Sequence, residues 1–531
     1  MSDVFTSWQK IVRGAPNSLG WRALQITEGE EHRGEGLSDE FTSLLSLIHL
    51  SDLHICDAQS PIRAEMVDRF SDPHNPISDV VGLVGAYRAQ EILTVQTFES
   101  MIQTTNMIVT GLFSSRPIDA VVLTGDVTDN AQANELDWYF TILDGGGVHP
   151  DSGDSSRWEG VAQTDPNTYD PSYWNPEGTP IGCIDDYPRS LYDFPIITGL
   201  TDAVRMPFIA VGTKHAWLAT HGNHDALLQG TVPSGSALNA FAIGDKKLIE
   251  LSPDLDLQKF ISEWSEVGPS AFPPLEGGIT RTISADARRR TNEPSDWARK
   301  HLSCNHGGHG LTQENVLLGT KYWYRDIEDI RLISLDTVNI NGGWQGSIDE
   351  SQFLWLKRTL SDVTPKYFVL LSHHPIQTLY NDYHPVGKDR RVCIDELTNE
   401  LLKHSRIILW LAGHNHENEI SFIGDQDGYG FWHVLTSSLI DWPQQGRLVE
   451  IFEDLNHVVI ASTIFDHQSP ISFTEATADL DSPINLAGIS RILAANDWQR
   501  RSERFSSDAL AGEVTDRNRI LWLKKSSKEK S

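Results

Sequence analysis

Short apolar runs, rich in β-branched and aromatic residues, recur along this chain, and several end abruptly in Asp, His or Gly. They are LLSLIHL (44–50), AVVLTGD (120–126), AWLATHGNHD (216–225), RLISLDT (331–337), YFVLLSHHP (367–375), IILWLAGHNH (407–416), FWHVLTSS (431–438) and RLVEIF (447–452). Runs this short and of this composition predict strands rather than helices. Between them the period changes. Ile92, Val95, Phe98 and Ile102 recur at steps of three and four, which places one apolar stripe on a helix of about 20 residues. Segment 349–360, DESQFLWLKRTL, opens acidic and closes basic, the order that a helix dipole favours. Strands alternating with helices predict an α/β architecture.

Two stretches break this rhythm. Residues 144–206 are rich in Gly, Pro, Asp and aromatic side chains without a lasting period, and residues 226–320 are mixed, with a helical-looking piece near 256–267 and the polar run DARRRTNEPSD. Irregular segments of such length inside a compact domain are usually functional or disordered. The chain therefore divides into a polar N-terminal segment (1–40), a main domain (41–470) carrying cap-like insertions near 144–206 and 226–320, and a C-terminal extension (471–531).

Charge narrows the partners. A formal net charge of −30 repels nucleic-acid backbones and anionic membranes, so neither a nucleic acid duplex nor a membrane is expected as a partner. The short basic tail of Lys524, Lys525, Lys528 and Lys530 reads as a solvated, frayed terminus. Cys56, Cys183, Cys304 and Cys393 stand far apart and form no C-x-x-C pair, so neither a disulfide framework nor a zinc ribbon is predicted. No signal-like run opens the chain and no apolar run is long enough to span a membrane, which makes the cytoplasm the expected location.

The chemistry gathers in five pieces, each at the end of a predicted strand: Asp52-Leu53-His54, Gly125-Asp126, Gly222-Asn223-His224-Asp225, His373-His374-Pro375 and Gly413-His414-Asn415-His416. Buried parallel strands present polar groups just past their carboxyl ends, so these pieces can converge in one pocket. Asp126 offers two oxygens, enough to bridge two cations. Asp52, His54 and His416 could complete one ion, and Asn223, His373 and His414 the other. Carboxylate, imidazole and amide oxygen without thiolate suit Mn, Fe, Zn or Co better than Ca. Two such ions about 3.5–4 Å apart would clamp a phosphate and acidify water. That leaves His224 free to meet substrate, with Asp225 a candidate to orient its imidazole.

In this order, D-x-H, G-D, G-N-H-D, H-x-P and G-H-x-H resemble the calcineurin-like metallophosphoesterase superfamily over residues 44–465, and the chain's length and the run SSLIDWPQQ (437–445) are similar to a long bacterial branch of it. The resemblance implies a four-layer αββα sandwich of two mixed β-sheets flanked by helices, with a dinuclear centre at its loop face. It implies Asp52, His54, Asp126 and His416 at the first metal, Asp126 as the bridge, and Asn223, His373 and His414 at the second. His224, with Asp225, takes the catalytic role. His373 is preferred to His374 because the family's ligand stands two residues before the proline. The ions implied are two divalent or mixed-valence transition metals: Mn, Fe or Zn. The gaps of 74, 97 and 150 residues from Asp52 to Asp126, Asn223 and His373 exceed those of compact members, and the excess falls in the two irregular stretches, read as caps over the site. Asp129 stands where purple acid phosphatases carry an iron-binding tyrosine, which argues against that type.

Other features carry less. His301, Cys304, His306 and His309 match no standard zinc spacing, and the reading preferred for His309 is that it reaches over the main site. Trp158, Tyr169, Tyr173, Trp174, Tyr187 and Tyr192 are expected to pin an irregular segment to the body, Arg288–Arg290 to be solvated, and His433 to be a core residue. There is no G-x-S-x-G elbow and no G-x-x-x-x-G-K-[ST] loop. The expected activity is hydrolysis of a small phosphate ester by a metal-bound hydroxide, with phosphodiesters, nucleotides among them, ahead of monoesters. The alternatives are a phosphomonoesterase or protein phosphatase, or a metal-binding scaffold with little turnover. The oligomeric state is not predicted.

Overall fold

Twelve strands build two six-stranded sheets in the computed structural model, which describes residues 4–29, 37, 40–306, 308–425, 429–501 and 506–525. In chain order, β1 (Thr42–Leu50), β2 (Ala120–Thr124) and β3 (Trp217–Thr220) enter the first sheet. Strands β4 (Trp323–Ile327), β5 (Ile330–Ser334), β6 (Tyr367–Leu371), β7 (Ile407–Ala412), β8 (Glu419–Gly424) and β9 (Gly430–Leu435) form the second. The chain then returns to the first with β10 (Gln445–Glu453), β11 (His457–Asp466) and β12 (Arg519–Lys524).

Both sheets are mixed. The first runs β12-β11-β10-β1-β2-β3, parallel from β1 to β3 and antiparallel elsewhere. The second runs β4-β5-β6-β7-β9-β8, parallel from β5 through β9 with antiparallel edges. Alternation along β6 shows how the layers stack. Val369 and Leu371 join Leu47, Val121 and Leu218 of the first sheet in one core, while Phe368 and Leu370 face a separate cluster on the other side.

Helices cover the outer faces. Val95, Phe98 and Ile102 of α1 (Thr94–Thr105) and Leu136, Tyr139 and Ile142 of α2 (Ala133–Asp144) join the core containing the first sheet. Phe353, Leu356 and Leu360 of α3 (Glu350–Leu360) and Leu397 and Leu401 of α4 (Ile394–Leu401) cover the second. The helix α1 is shorter than its apolar stripe suggested, because Glu91–Leu93 form a 3-10 turn instead. Asp349 caps α3 by accepting from the Gln352 amide, as its acidic start predicted. The result is the four-layer α/β sandwich expected.

Departures from the expected layout lie outside the sheets. The N-terminal segment carries an antiparallel hairpin, Gln9–Pro16 with Arg22–Glu28, and most of the acidic run that follows lies outside the described residues. The C-terminal extension supplies α5 (Pro483–Ala494) and the edge strand β12. Lys524 ends that strand and Lys525 pairs with Glu453 at 2.6 Å; Lys528 and Lys530 lie outside the described residues. Residues 144–206 do not cap the site as expected. Tyr173, Trp174, Phe194 and Leu200 pack instead against Leu486, Ile489 and Leu493 of α5. Residues 226–320 build a small core of their own, with Leu228, Val232, Leu248, Phe260 and Ile261 against Ile62, Met66 and Val67.

Candidate metal centre

The carboxyl ends of β1, β2, β3, β6 and β7 converge, and each of the five polar pieces follows one of them directly. The turns are tight. Asp52, His54, Asp126, His414 and His416 all hold positive φ, between 46° and 72°, a region that non-glycine residues seldom occupy and that clusters at functional sites. Gly413 permits the closest approach, since a Cβ there would stand 1.8 Å from Ser51 Oγ and 2.3 Å from Asp52 Oδ2. Gly230, at φ +65°, leaves room for the two residues after Gly222: a Cβ would stand 2.4 Å from both His224 Nε2 and Asn223 Nδ2.

Six of the seven proposed ligands, all but Asn223, are in reach of one another through short contacts. His54 Nε2 lies 3.1 Å from His416 Nε2, which lies 3.5 Å from Asp52 Oδ1. His373 Nε2 lies 3.1 Å from Asp126 Oδ2 and 3.2 Å from His414 Nδ1. Asp52, His54 and His416 bring potential ligand atoms within 4.8 Å of one another, as do Asp52, Asp126 and His373. Asn223 donates from Nδ2 to the Gly230 carbonyl at 3.0 Å, while its buried Oδ1 has no hydrogen-bond partner. An oriented amide oxygen left without a donor, beside two carboxylates and four imidazoles, fits a cation. The charge balance agrees. Burial opposes ionisation of Asp126, yet His373, His224 and His54 hold it well below the usual carboxylate range. Burial likewise opposes a charged His373, but Asp126 and Asp52 raise it to about 9.

The partners outside this cluster orient it. His373 Nδ1 donates to the Thr124 carbonyl at 2.9 Å, His54 Nδ1 meets Asp129 Oδ1 at 3.0 Å, and His416 Nδ1 meets Asp441 Oδ2 at 2.8 Å. Arg63 pairs with Asp129 from the far side. His374 is occupied at both ring nitrogens, by Thr337 Oγ1 at 2.8 Å and the Trp344 carbonyl at 2.9 Å, which leaves His373 as the one turned to Asp126.

His224 Nδ1 donates to the Asp129 carbonyl at 2.5 Å, and its ring stands 4.6 Å from that of His54. Asp225, expected to orient this imidazole, does other work: its carboxylate accepts from the backbone amides of Val127, Thr128 and Gly222 at 2.8–3.0 Å and ties two strand-end loops together. Backbone donors reach it first because both loops leave adjacent parallel strands. His309 does not reach the site either. Its ring stacks on Trp217, in the core behind β3, and Nδ1 donates to the Trp217 carbonyl at 2.9 Å.

The centre opens into a cavity of about 500 Å³, lined by His54, Asp126, Asn223, His224, His414 and His416 at its floor. Val81, Leu83, Val84, Gly85, Ala86 and Arg88 form one wall, Gln229, Thr231, Ile261, Trp264 and Ser265 another, and Trp344, Asn415 and Arg500 close the rest. The second insertion thus reaches the cavity and the first does not. Asp126 is the single acidic residue lining it among the described residues, in a chain with 73 acidic side chains. Sequence pattern does not single out Asp441, Arg88, Arg500 or Trp344: Asp441 lies inside the run SSLIDWPQQ, but nothing in the spacing ties it to His416.

The mixed α/β sandwich is accompanied by a sequence match: residues 198–418 match the calcineurin-like phosphoesterase family. Asp52, His54 and Asp126 precede the matched residues, and the fold brings them to the strand-end cluster. Over 119 residues the chain is 29% identical to the manganese-dependent ADP-ribose/CDP-alcohol diphosphatase of Xenopus tropicalis, which covers 21% of this chain and 32% of that protein. The chain therefore matches about a third of that relative's length. A solved structure, GAP50, the anchor in the inner membrane complex of Plasmodium, aligns with 79% of this chain and 84% of its own at 11% identity and a TM-score of 0.26. Among the described residues no helix is long and apolar enough to cross a membrane.

Proposed function

We propose that this protein is a metal-dependent hydrolase of phosphate esters, with two transition-metal ions held by the strand-end cluster. Asp52, His54, Asp126 and His416 would hold one ion, and Asp126, Asn223, His373 and His414 the other. The observation that carries this reading is the clustering of Asp52, His54, Asp126, His373 and His416 ligand atoms within 4.8 Å in overlapping groups, with Asn223, whose Oδ1 is buried and unpartnered, lining the same 500 Å³ cavity. Divalent ions bound there would polarise a phosphoryl oxygen and lower the pKa of water.

The chain's own residues do the rest. Asp129 and Asp441 fix the orientation of His54 and His416, and His224 faces the cavity with its Nδ1 proton committed to Asp129. A cavity of this size accepts more than inorganic phosphate, which supports testing phosphodiesters ahead of monoesters. The manganese dependence of the relative makes Mn²⁺ the first ion to test, with Fe²⁺ and Zn²⁺ beside it.

The test is turnover of bis-p-nitrophenyl phosphate against p-nitrophenyl phosphate by metal-stripped full-length protein titrated with each ion. Metal-dependent diester hydrolysis is expected. Hydrolysis of the monoester alone would make the protein a phosphatase, and no hydrolysis at confirmed two-ion loading would leave a metal-binding scaffold.

A further inference from the structure

Two guanidinium groups line the cavity beside the metal cluster, and neither belongs to it. Arg88 meets both Asp441 oxygens, Nε at 2.7 Å from Oδ1 and Nη2 at 3.3 Å from Oδ2, and Arg500 Nη2 lies 3.2 Å from Asp441 Oδ2. The same Asp441 Oδ2 holds His416 Nδ1 at 2.8 Å, so both arginines stand one carboxylate away from a proposed metal ligand. Two cations share one carboxylate. Arg88 also donates from Nη1 to the Gly85 carbonyl at 2.9 Å. Their side chains are 11% and 12% exposed, and both line the cavity. Asp497 interacts electrostatically with both guanidinium groups but is absent from the cavity lining, and Glu417, near Arg500, is absent from it too.

This wall is unusual for its protein. The chain carries 73 acidic against 43 basic side chains, yet the cavity wall away from Asp126 presents two arginines and no carboxylate among the described residues. A low-dielectric cleft lined by one sign of charge concentrates ligands of the opposite sign. Guanidinium groups match phosphate oxygens with paired N–H donors and stay charged at every working pH. A diester with a single phosphate engages the metal cluster and leaves these guanidinium groups with Asp441 as their anionic partner and no contact to the substrate.

We propose that Arg88 and Arg500 form a second anion subsite, so that the preferred substrate carries two adjacent phosphates joined by an anhydride bond. The inference rests on the hydrolase reading and names its substrate class. One phosphate sits over the Asp–His cluster and the other against the two guanidinium groups. In the reaction, the oxygen of water bonds to the first phosphorus and the bond from that phosphorus to the bridging oxygen breaks. The electron pair stays on the bridging oxygen, now part of the second phosphate. One water proton remains on the first product and the other passes to the second or to solvent, giving two phosphate monoesters. Arg88 and Arg500 stabilise the charge that develops on the departing phosphate.

The experiment has two arms on the full-length, Mn²⁺-loaded protein. In the first, calorimetry compares AMP with α,β-methylene-ADP, which differ by one phosphate that is not hydrolysed. Wild-type protein is expected to bind the diphosphate analogue at least about tenfold more tightly, with the advantage lost in Arg88→Gln and Arg500→Gln. Equal affinity in the wild type would overturn the subsite whatever the variants do. In the second arm, kcat/KM is measured for ADP-ribose and for bis-p-nitrophenyl phosphate. The ratio of the two should fall about 10- to 100-fold in each glutamine variant and recover in part in Arg500→Lys. An unchanged ratio would mean that the arginines act only by supporting Asp441 and would overturn the proposal. Wild-type hydrolysis of the diester but not of ADP-ribose would sink the subsite and leave the hydrolase standing. Hydrolysis of neither would sink the hydrolase reading, and the proposal that depends on it.

Discussion

Asp441 and His416 form a buried pair in which the carboxylate Oδ2 stands 2.8 Å from the imidazole Nδ1, turning His416 Nε2 toward Asp52 and His54. Burial disfavours the charge on Asp441, but Arg88, Arg500 and His416 hold it well below the usual carboxylate range. A ligand imidazole fixed in this way loses metal affinity when its partner is weakened. Asp441→Asn should therefore cost about 10- to 100-fold in the Mn²⁺ concentration needed for half-maximal activity. Titration of activity with Mn²⁺ checks this, and an unchanged midpoint would remove Asp441 from the centre.

Asp126 is the carboxylate common to both halves of the proposed centre. Asp126→Ala should release both ions, because one half then keeps only neutral donors and the other keeps Asp52 as its single anion. Inductively coupled plasma mass spectrometry on the purified variant reads the outcome directly. Stoichiometric metal retained in the variant would refute the bridge.

His224 faces the cavity but donates its Nδ1 proton to a backbone carbonyl. His224→Ala should keep its metal and lose about 10²- to 10⁴-fold in kcat, the range of a positioned proton-transfer group. The loss should be largest for poor leaving groups. Comparing an alkyl with a p-nitrophenyl ester separates a chemical role from a loss of binding; equal losses on both would contradict it.

His433 lies in β9, away from the centre, with both ring nitrogens buried and unpartnered. Burial lowers its pKa from 6.5 to about 3. The unfolded chain takes up a proton below 6.5 that the folded chain refuses until about 3, so the residue subtracts stability progressively as pH falls through that window. At pH 5 the deficit is about 2 kcal/mol. His433→Leu should raise stability at pH 7 and narrow the gap between pH 7 and pH 5, as read from urea midpoints. A variant with the wild-type pH dependence would show that the ring is not the cause.

The parallel strands and their polar ends were legible because a buried strand reads as an unbroken apolar run and its ligands follow within a few residues. LLSLIHL-Ser51-Asp52 and IILWLAGHNH each carry strand and ligand together. Strands β4, β8 and β12 escaped that reading because edge strands such as Glu419–Gly424 are half-exposed and lose the pattern, whereas β11 escaped it although it is buried along nearly its whole length. The orienting residues escaped for a different reason. Asp441 is 25 positions from His416, and Arg88 is 353 from Asp441, distances over which side-chain type says nothing about contact. The first insertion was misjudged because its Gly, Pro and aromatic content records irregular backbone, and only its packing against α5 tells where that backbone lies.

The middle of the first sheet has a consequence for how the chain is born. Strand β1 pairs with β10, and the His414 amide donates to Asp52 across 362 residues. A chain emerging from the ribosome therefore displays one open edge of β1 and half of the proposed metal centre long before β10 and the histidines that finish that centre exist. Domains that fold during synthesis do so from the N-terminus, and unpaired strand edges invite aggregation in the interval. For this protein the interval covers most of translation, so the nascent chain, rather than the finished enzyme, is the form most in need of a chaperone.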